Sequence, residues 1–308
     1  MTLLTRDDVL QRVQQNITLK KAELSVVDLH GLNLAGGTFS GAYMRSANLN
    51  GTCCDRANFS RAILHWSQAK AASFIGTSLM RAEFKRADLS GADLSEADAD
   101  EAKLFEATLT GITAHRVILE RADLRQSNID VAILVQGRLS GADFSDASCV
   151  RTDFSEAELR LAMVERADLT DAILTRANLE RSQFNDAQFI RTNLSEVDAV
   201  GASFLNVNFT DAIVTNSDLS NADLRQAHFL RTQLTGTSFF STHFERAVFE
   251  QVSLSNVDLT DAIVEEATFI DVDFSNCRVR GAEFSGVKGL TSEQSQWLKH
   301  QGALNVPN

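Results

Sequence analysis

The chain has 308 residues, 44% of them hydrophobic, and carries 29 Lys and Arg against 41 Asp and Glu, a formal charge of −12. That balance weighs against bare nucleic acid or an anionic membrane as a direct partner, since both are polyanions, and no apolar run nears the ~20 residues of a membrane span. One proline and one tyrosine beside 19 phenylalanines form a skewed inventory that points to internal repetition.

Chain order begins with Thr5-Arg-Asp-Asp8. A threonine cap and early acids precede an apolar pattern at Val9, Leu10 and Val13, which predicts a short helix within a segment spanning 1–21. Arg6, Asp7 and Asp8 stand where a secretory signal would need its apolar stretch. The four cysteines (Cys53, Cys54, Cys149, Cys277) are too few and too irregular for a disulfide framework. A reducing, cytoplasmic location is the expectation.

From residue 22 to 286 a period of five takes over. It is plain in Ala87-Asp-Leu-Ser-Gly, Ala92-Asp-Leu-Ser-Glu and Ala177-Asn-Leu-Glu-Arg. A large apolar centre falls on every fifth residue from Leu24 to Phe284, giving 53 repeats without an insertion or deletion. The centres are 24 Leu, 17 Phe, four Val, four Ala, two Cys, one Met and one Ile, so none is polar. Two residues before the centre stands Ala in 30 of the 53 repeats, and mostly Ser, Thr, Val or Gly in the rest. A helix needs a period near 3.6 and a strand needs 2, so neither fits. A chain that turns every five residues does fit, with one large and one small residue sent inward each time. Such a coil buries its apolar face only by stacking on copies of itself.

The repeated A-(D/N)-L-x-x register resembles the pentapeptide-repeat proteins. The resemblance implies an all-β solenoid, a right-handed quadrilateral β-helix with four pentapeptides per coil. About 13 coils at the ~4.8 Å strand spacing would make a rod on the order of 60 Å long, about as wide as a DNA duplex. The last segment, 287–308, opens with the capping box Thr291-Ser-Glu-Gln294 and predicts a second helix carrying Trp297 and Leu298. Short helices at both ends are expected to cover otherwise open coils. Trp297, Leu298, Leu304 and Val306 read as a lid on the last coil; the alternative, which the family suggests, is a homodimer joined through the C-terminal end.

Nothing in the sequence converges on catalysis. The six histidines are scattered, none shares metal-ligand spacing with a cysteine, and no phosphate loop, dinucleotide fingerprint or nucleophile elbow occurs. The expectation is a protein that is not an enzyme and holds no cofactor and no metal, with function confined to its outer surface. Stacking four repeats per coil places residues twenty apart above one another. Charges then alternate down columns such as Arg151, Asp171, Arg191, Asp211, Arg231, which reads as a structural ladder.

Two surface features depart from that neutral pattern. Across 196–275, 13 acids face only Arg225, Arg231 and Arg246, a balance of −10, and Asp198, Asp218 and Asp258 share one column. Glu265 and Glu266 lie in the same stretch. Elsewhere Tyr43, Ile63, His65, Trp66 and Phe105 map outward along one side, where clustered aromatics mark a contact site. The reading is a non-catalytic scaffold that binds a bacterial protein partner through these faces or the C-terminal end. The second reading, implied by the resemblance, is a DNA mimic that occupies the DNA-binding saddle of gyrase or topoisomerase IV and protects against quinolones or topoisomerase toxins. Neither involves direct contact with nucleic acid or membrane.

Overall fold

The structure, a computed structural model, describes residues 4–308. Its local unit is a turn of the chain once per pentapeptide. The N–H of the small inward residue bonds the carbonyl of the preceding centre, as in Ala42 to Phe39 at 2.9 Å, which closes a four-residue turn. The second residue after each centre lies in the left-handed region at every position from Lys21 to Gly286, with φ between about 50° and 77°. That is the pattern of a type II turn, which ordinarily asks for Gly or Asn. Twelve of these corners are glycine; most of the others are charged or amide residues. Each non-glycine corner costs on the order of 1 kcal/mol, and stacking must offset it.

Stacking occurs at a register of twenty residues. Parallel bridges join Glu23 to Tyr43, Tyr43 to Ile63 and Ile63 to Glu83, and the same offset runs through all four sides. The four sides are named here by their first centres: Leu24, Leu29, Leu34 and Phe39. Within one repeat the backbone N–H groups are nearly all accounted for. The centre, the residue before it and the corner residue each bond a neighbouring coil: Leu24 to Tyr43 O, Tyr43 to Ala22 O, Val26 to Arg45 O. The N–H after the centre remains, and the Asp or Asn before the centre takes it, as Asn58 Oδ1 does for Ser60 at 2.9 Å. Where that position is Gln68 or Ser148, a carboxylate or amide one coil earlier substitutes: Asn50 accepts Lys70 N–H at 2.8 Å, and Asp130 accepts Val150 N–H at 2.9 Å. The Asp/Asn preference of the repeat is thus a backbone requirement.

Inside, centres pack as layers with the small residues between them. Where Ser or Thr replaces Ala, the hydroxyl finds a carbonyl, either in the coil before, as Thr52 to Leu29 O at 2.9 Å, Thr152 to Ile129 O at 2.7 Å and Thr242 to Leu219 O at 2.8 Å, or on the preceding centre, as Ser127 to Leu124 O and Ser182 to Leu179 O. Ser67 is the exception, buried with its hydroxyl unpartnered.

The chain forms two compact units, one ending at Glu158 and one running from Leu159 to Asn308. The first opens with α1 (Arg6–Gln14), capped reciprocally by Thr5 and Asp8. Val9 is wholly buried, and the helix seats closely because residue 37 is glycine: a Cβ there would stand 3.2 Å from Val13 Cγ2 and 2.9 Å from Leu34 O. Leu19, five residues before Leu24, is already buried in the centre position, and its N–H bonds Thr38 O.

In the second unit, β1 (His228–Leu230), β2 (Val248–Glu250) and β3 (Thr268–Ile270) form a parallel three-stranded sheet on the Leu29 side. Their central residues extend a phenylalanine stack, with Phe209, Phe229, Phe249 and Phe269 at successive centroid separations of 5.0, 4.8 and 5.2 Å. Branched and aromatic residues favour this extended backbone. The unit ends with α2 (Ser292–His300), capped by Thr291 and Gln294. Beyond it, Leu304 pairs in parallel with Glu283 and adds one more rung to the ladder.

Candidate interaction surfaces

The Leu24 side of the first unit carries the aromatic residues singled out above. Tyr43 and Ile63 are bridge partners on adjacent coils, before the centre. Trp66 lies at the corner that closes the same side, φ 56°, and packs edge-on against His65 at 5.6 Å. Tyr43 is 44% exposed and Trp66 46%, while Ile63 is half-buried. A fifth apolar residue, which sequence reasoning missed, belongs with them: Val26, 76% exposed at the corner two coils before Trp66. Trp66 and Val26 both occupy left-handed corners, where a large or β-branched side chain pays in backbone strain and gains no burial.

Phe105 departs from the expectation. It lies two coils beyond Trp66, with the Lys85 ammonium 5.0 Å and the Arg125 guanidinium 5.7 Å from its ring centroid. Cation–π contact on this scale stabilises the ladder and takes the ring out of the exposed cluster. Lys85 and Arg125 stand twenty residues to either side of Phe105, so the column was readable in the sequence. The surrounding charges are also paired. Glu83 bonds both Lys103 and His65 at 2.8 Å, and Lys103, then His65, hold its carboxyl below the usual range against the opposing effect of burial. Arg125 does the same for Asp123.

The acidic stretch divides in a similar way. Asp198 and Asp218 are bridge partners on the Phe39 side, both exposed, and among the described residues neither has a cation within ion-pair distance. Each carboxylate accepts the N–H two residues on, from Val200 and Ser220. Asp258 is different: Arg278, twenty residues later, binds it at 2.7 Å. Glu266 is bound by Arg246 at 2.7 Å, while Glu265 is exposed and has no paired cation among the described residues. Of the five acids expected to present charge, two are therefore neutralised within the fold, because an arginine stands one coil away. The alternating columns pair as expected, Arg191 with Asp171 and Arg231 with Asp211.

At the C-terminal end Leu298 is 0% exposed, so it belongs to the core and is withdrawn as a contact for a second copy. Trp297 is half-buried and lines, with Val272, Phe274, Glu293 and Gln294, a hollow of about 330 Å³. Gln294 ties α2 down by donating to Val272 O at 2.8 Å.

No disulfide joins any of the four cysteines. Burial pushes the Cys54 thiol well up, and burial followed by the nearby Asp258 carboxylate pushes Cys277 up to about 12, away from the thiolate form. Among the described residues no three His, Cys, Asp or Glu side chains converge as metal ligands, and no helix is long and apolar enough to cross a membrane.

A five-residue turn stacked at a twenty-residue register defines a repeat protein of the β-solenoid class, with its variable chemistry on the outside. Comparison with family models agrees. The model for pentapeptide repeats (8 copies) matches residues 22–65, 62–98, 119–160, 138–176 and 253–288, and that for a pentapeptide repeat region matches 162–239. The chain belongs to the pentapeptide-repeat family. Among solved structures it is similar to HetL, a pentapeptide repeat protein involved in heterocyst differentiation regulation from the cyanobacterium Nostoc. That match has 22% identity, covers 91% of this chain and 96% of that one, and has a TM-score of 0.28. It is also similar to full-length QnrB1, a plasmid-mediated fluoroquinolone resistance protein, at 18% identity over 91% and 99% of the two chains, TM-score 0.21. No curated protein matches the chain.

Proposed function

We propose that this protein is a non-catalytic, cytoplasmic scaffold that binds a protein partner through the Leu24 side of its first unit. The reading takes the coils as right-handed, about thirteen in number, with α1 and α2 covering the first and last. The observation that carries it is the cluster of Val26, Tyr43, Ile63 and Trp66. These apolar side chains stand on a polar surface, two of them at strained corners where glycine or asparagine would cost less. Burial against a partner is the compensation such residues lack in the free chain, and tryptophan and tyrosine are the residues that most often dominate an interface.

The test is affinity capture from the source cell, comparing wild type with Trp66→Asn and with the pair Tyr43→Thr, Ile63→Thr. A protein retained by wild type and lost with both variants supports the reading. An identical set of captured proteins removes this side from consideration.

A second reading rests on Asp198 and Asp218, stacked as like charges with no counter-ion among the described residues. Such a pair suits a basic surface, and the DNA-binding saddle of gyrase is one. Under this reading stoichiometric protein inhibits gyrase supercoiling, and reversal of both aspartates to lysine abolishes the inhibition. No effect at large excess eliminates it. The arginines on Asp258 and Glu266 reduce the acidic surface available, which favours the scaffold.

A further inference from the structure

The charge of the chain is unevenly distributed. Residues 1–86 hold eleven Lys and Arg against six Asp and Glu, a balance of +5, whereas 87–308 hold 18 against 35. The excess cations gather at one corner of the first unit, where the Phe39 side meets the Leu24 side. The corner column reads Lys21, Gly41, Arg61, Arg81, with Lys20 beside Lys21. Gly41 interrupts it: with no side chain there, a groove of about 550 Å³ opens between Lys21 and Arg61. Among the described residues Lys20, Lys21 and Arg61 have no side-chain hydrogen-bond or ion-pair partner, unlike Arg81, which binds Glu101, and Arg116, which binds Glu96. Ser40 and Ser60 add hydroxyls to the lining.

We propose that this groove binds an oligophosphate, the anion of a diphosphate or triphosphate chain. Lys21 and Arg61 are two coils apart, ~10 Å at strand spacing, too far to share one carboxylate but suited to a short chain of phosphates lying in the Gly41 gap. Arg61 offers a planar fork for two phosphate oxygens, and the lysines act as mobile point charges. Arg81, held by Glu101, closes the far end without competing for the ligand. The groove shares no residue with the partner surface described above but adjoins it, since Arg61 and Arg81 line a neighbouring hollow with Ile63.

Titration calorimetry with sodium pyrophosphate, with ADP and with sulfate at matched ionic strength tests it. The expected result is saturable binding of one pyrophosphate per chain, weakened roughly tenfold or more by Arg61→Gln and by Lys21→Gln. Gly41→Asn keeps every cation, tolerates the left-handed corner and fills the gap, so it too weakens binding. Arg116→Gln, which removes a paired corner arginine elsewhere, leaves it unchanged. Equal affinity for pyrophosphate and ADP identifies the phosphate chain alone as the ligand; tighter ADP identifies a nucleotide. Absence of saturable binding, sulfate binding as tightly as pyrophosphate, or variants with wild-type affinity and intact circular dichroism each overturn the proposal.

Discussion

Asn58 illustrates how one side chain completes the repeat. Its carboxamide oxygen takes the N–H of Ser60, the single backbone donor that neither the turn nor the neighbouring coils use. Ser67 shows the converse. It occupies the inward position that alanine fills most often, yet its buried hydroxyl has no acceptor, whereas Thr52, three repeats before it, and Thr77, two repeats after it, reach carbonyls. Replacing Ser67 with alanine removes an orphan polar group without leaving a cavity, so Ser67→Ala should stabilise the protein by about 1 kcal/mol, read as a raised unfolding temperature. Trp66→Asn belongs at this scale too. Asparagine suits a left-handed corner, so the variant used to test partner binding should unfold at or above the wild-type temperature. A fall would mean that the indole is structural.

At the scale of the element, the phenylalanine stack through β1, β2 and β3 is the most demanding packing in the second unit. Phe229 has a stacked neighbour on each face, Phe209 and Phe249, and is 1% exposed. Phe229→Ala should cost about 3–5 kcal/mol, measurable by urea denaturation. The outer ladders respond to pH instead. Bonding to Arg125, against the opposing effect of burial, lowers the carboxyl of Asp123, and Lys103 followed by His65 does so for Glu83. A carboxyl lowered in the folded state adds stability above its unfolded value, near 4, and loses that contribution as pH falls through the lower folded value. Thermal stability should therefore drop below about pH 4. Charge-neutral variants at both positions should flatten that part of the profile.

For the whole molecule the decisive quantity is the register of twenty. Stability in stacked repeats is close to a sum of nearest-neighbour terms, so a deletion is tolerated if it preserves which residue lies over which. Removing residues 61–80 from the first unit leaves every remaining side chain in its own column. Removing 61–70 instead sets each side over the opposite one across the cut and separates partners that span it, such as Ser60 with Ser78 and Thr77 with the Cys54 carbonyl. Circular dichroism melting should show the longer deletion to be the less damaging, an order that chain length alone would reverse. Charge follows the same logic: the basic corner and the acidic stretch are each legible once residues are arranged by twenties.

The sequence by itself determined the turn every five residues, the inward pair of large and small side chains and the two helical ends, because each follows from a local pattern repeated without interruption. It also contained the columns, since twenty residues separate every partner. Stacking the coils settles which side chains on those columns are committed. Phe105 lies between two cations, Arg278 holds Asp258, Arg246 holds Glu266, and Leu298 turns into the core. The reason is physical. An exposed-looking position in a repeat is satisfied or left open by the residue one coil away and by the conformation its long side chain adopts, and neither is fixed until the coils are stacked.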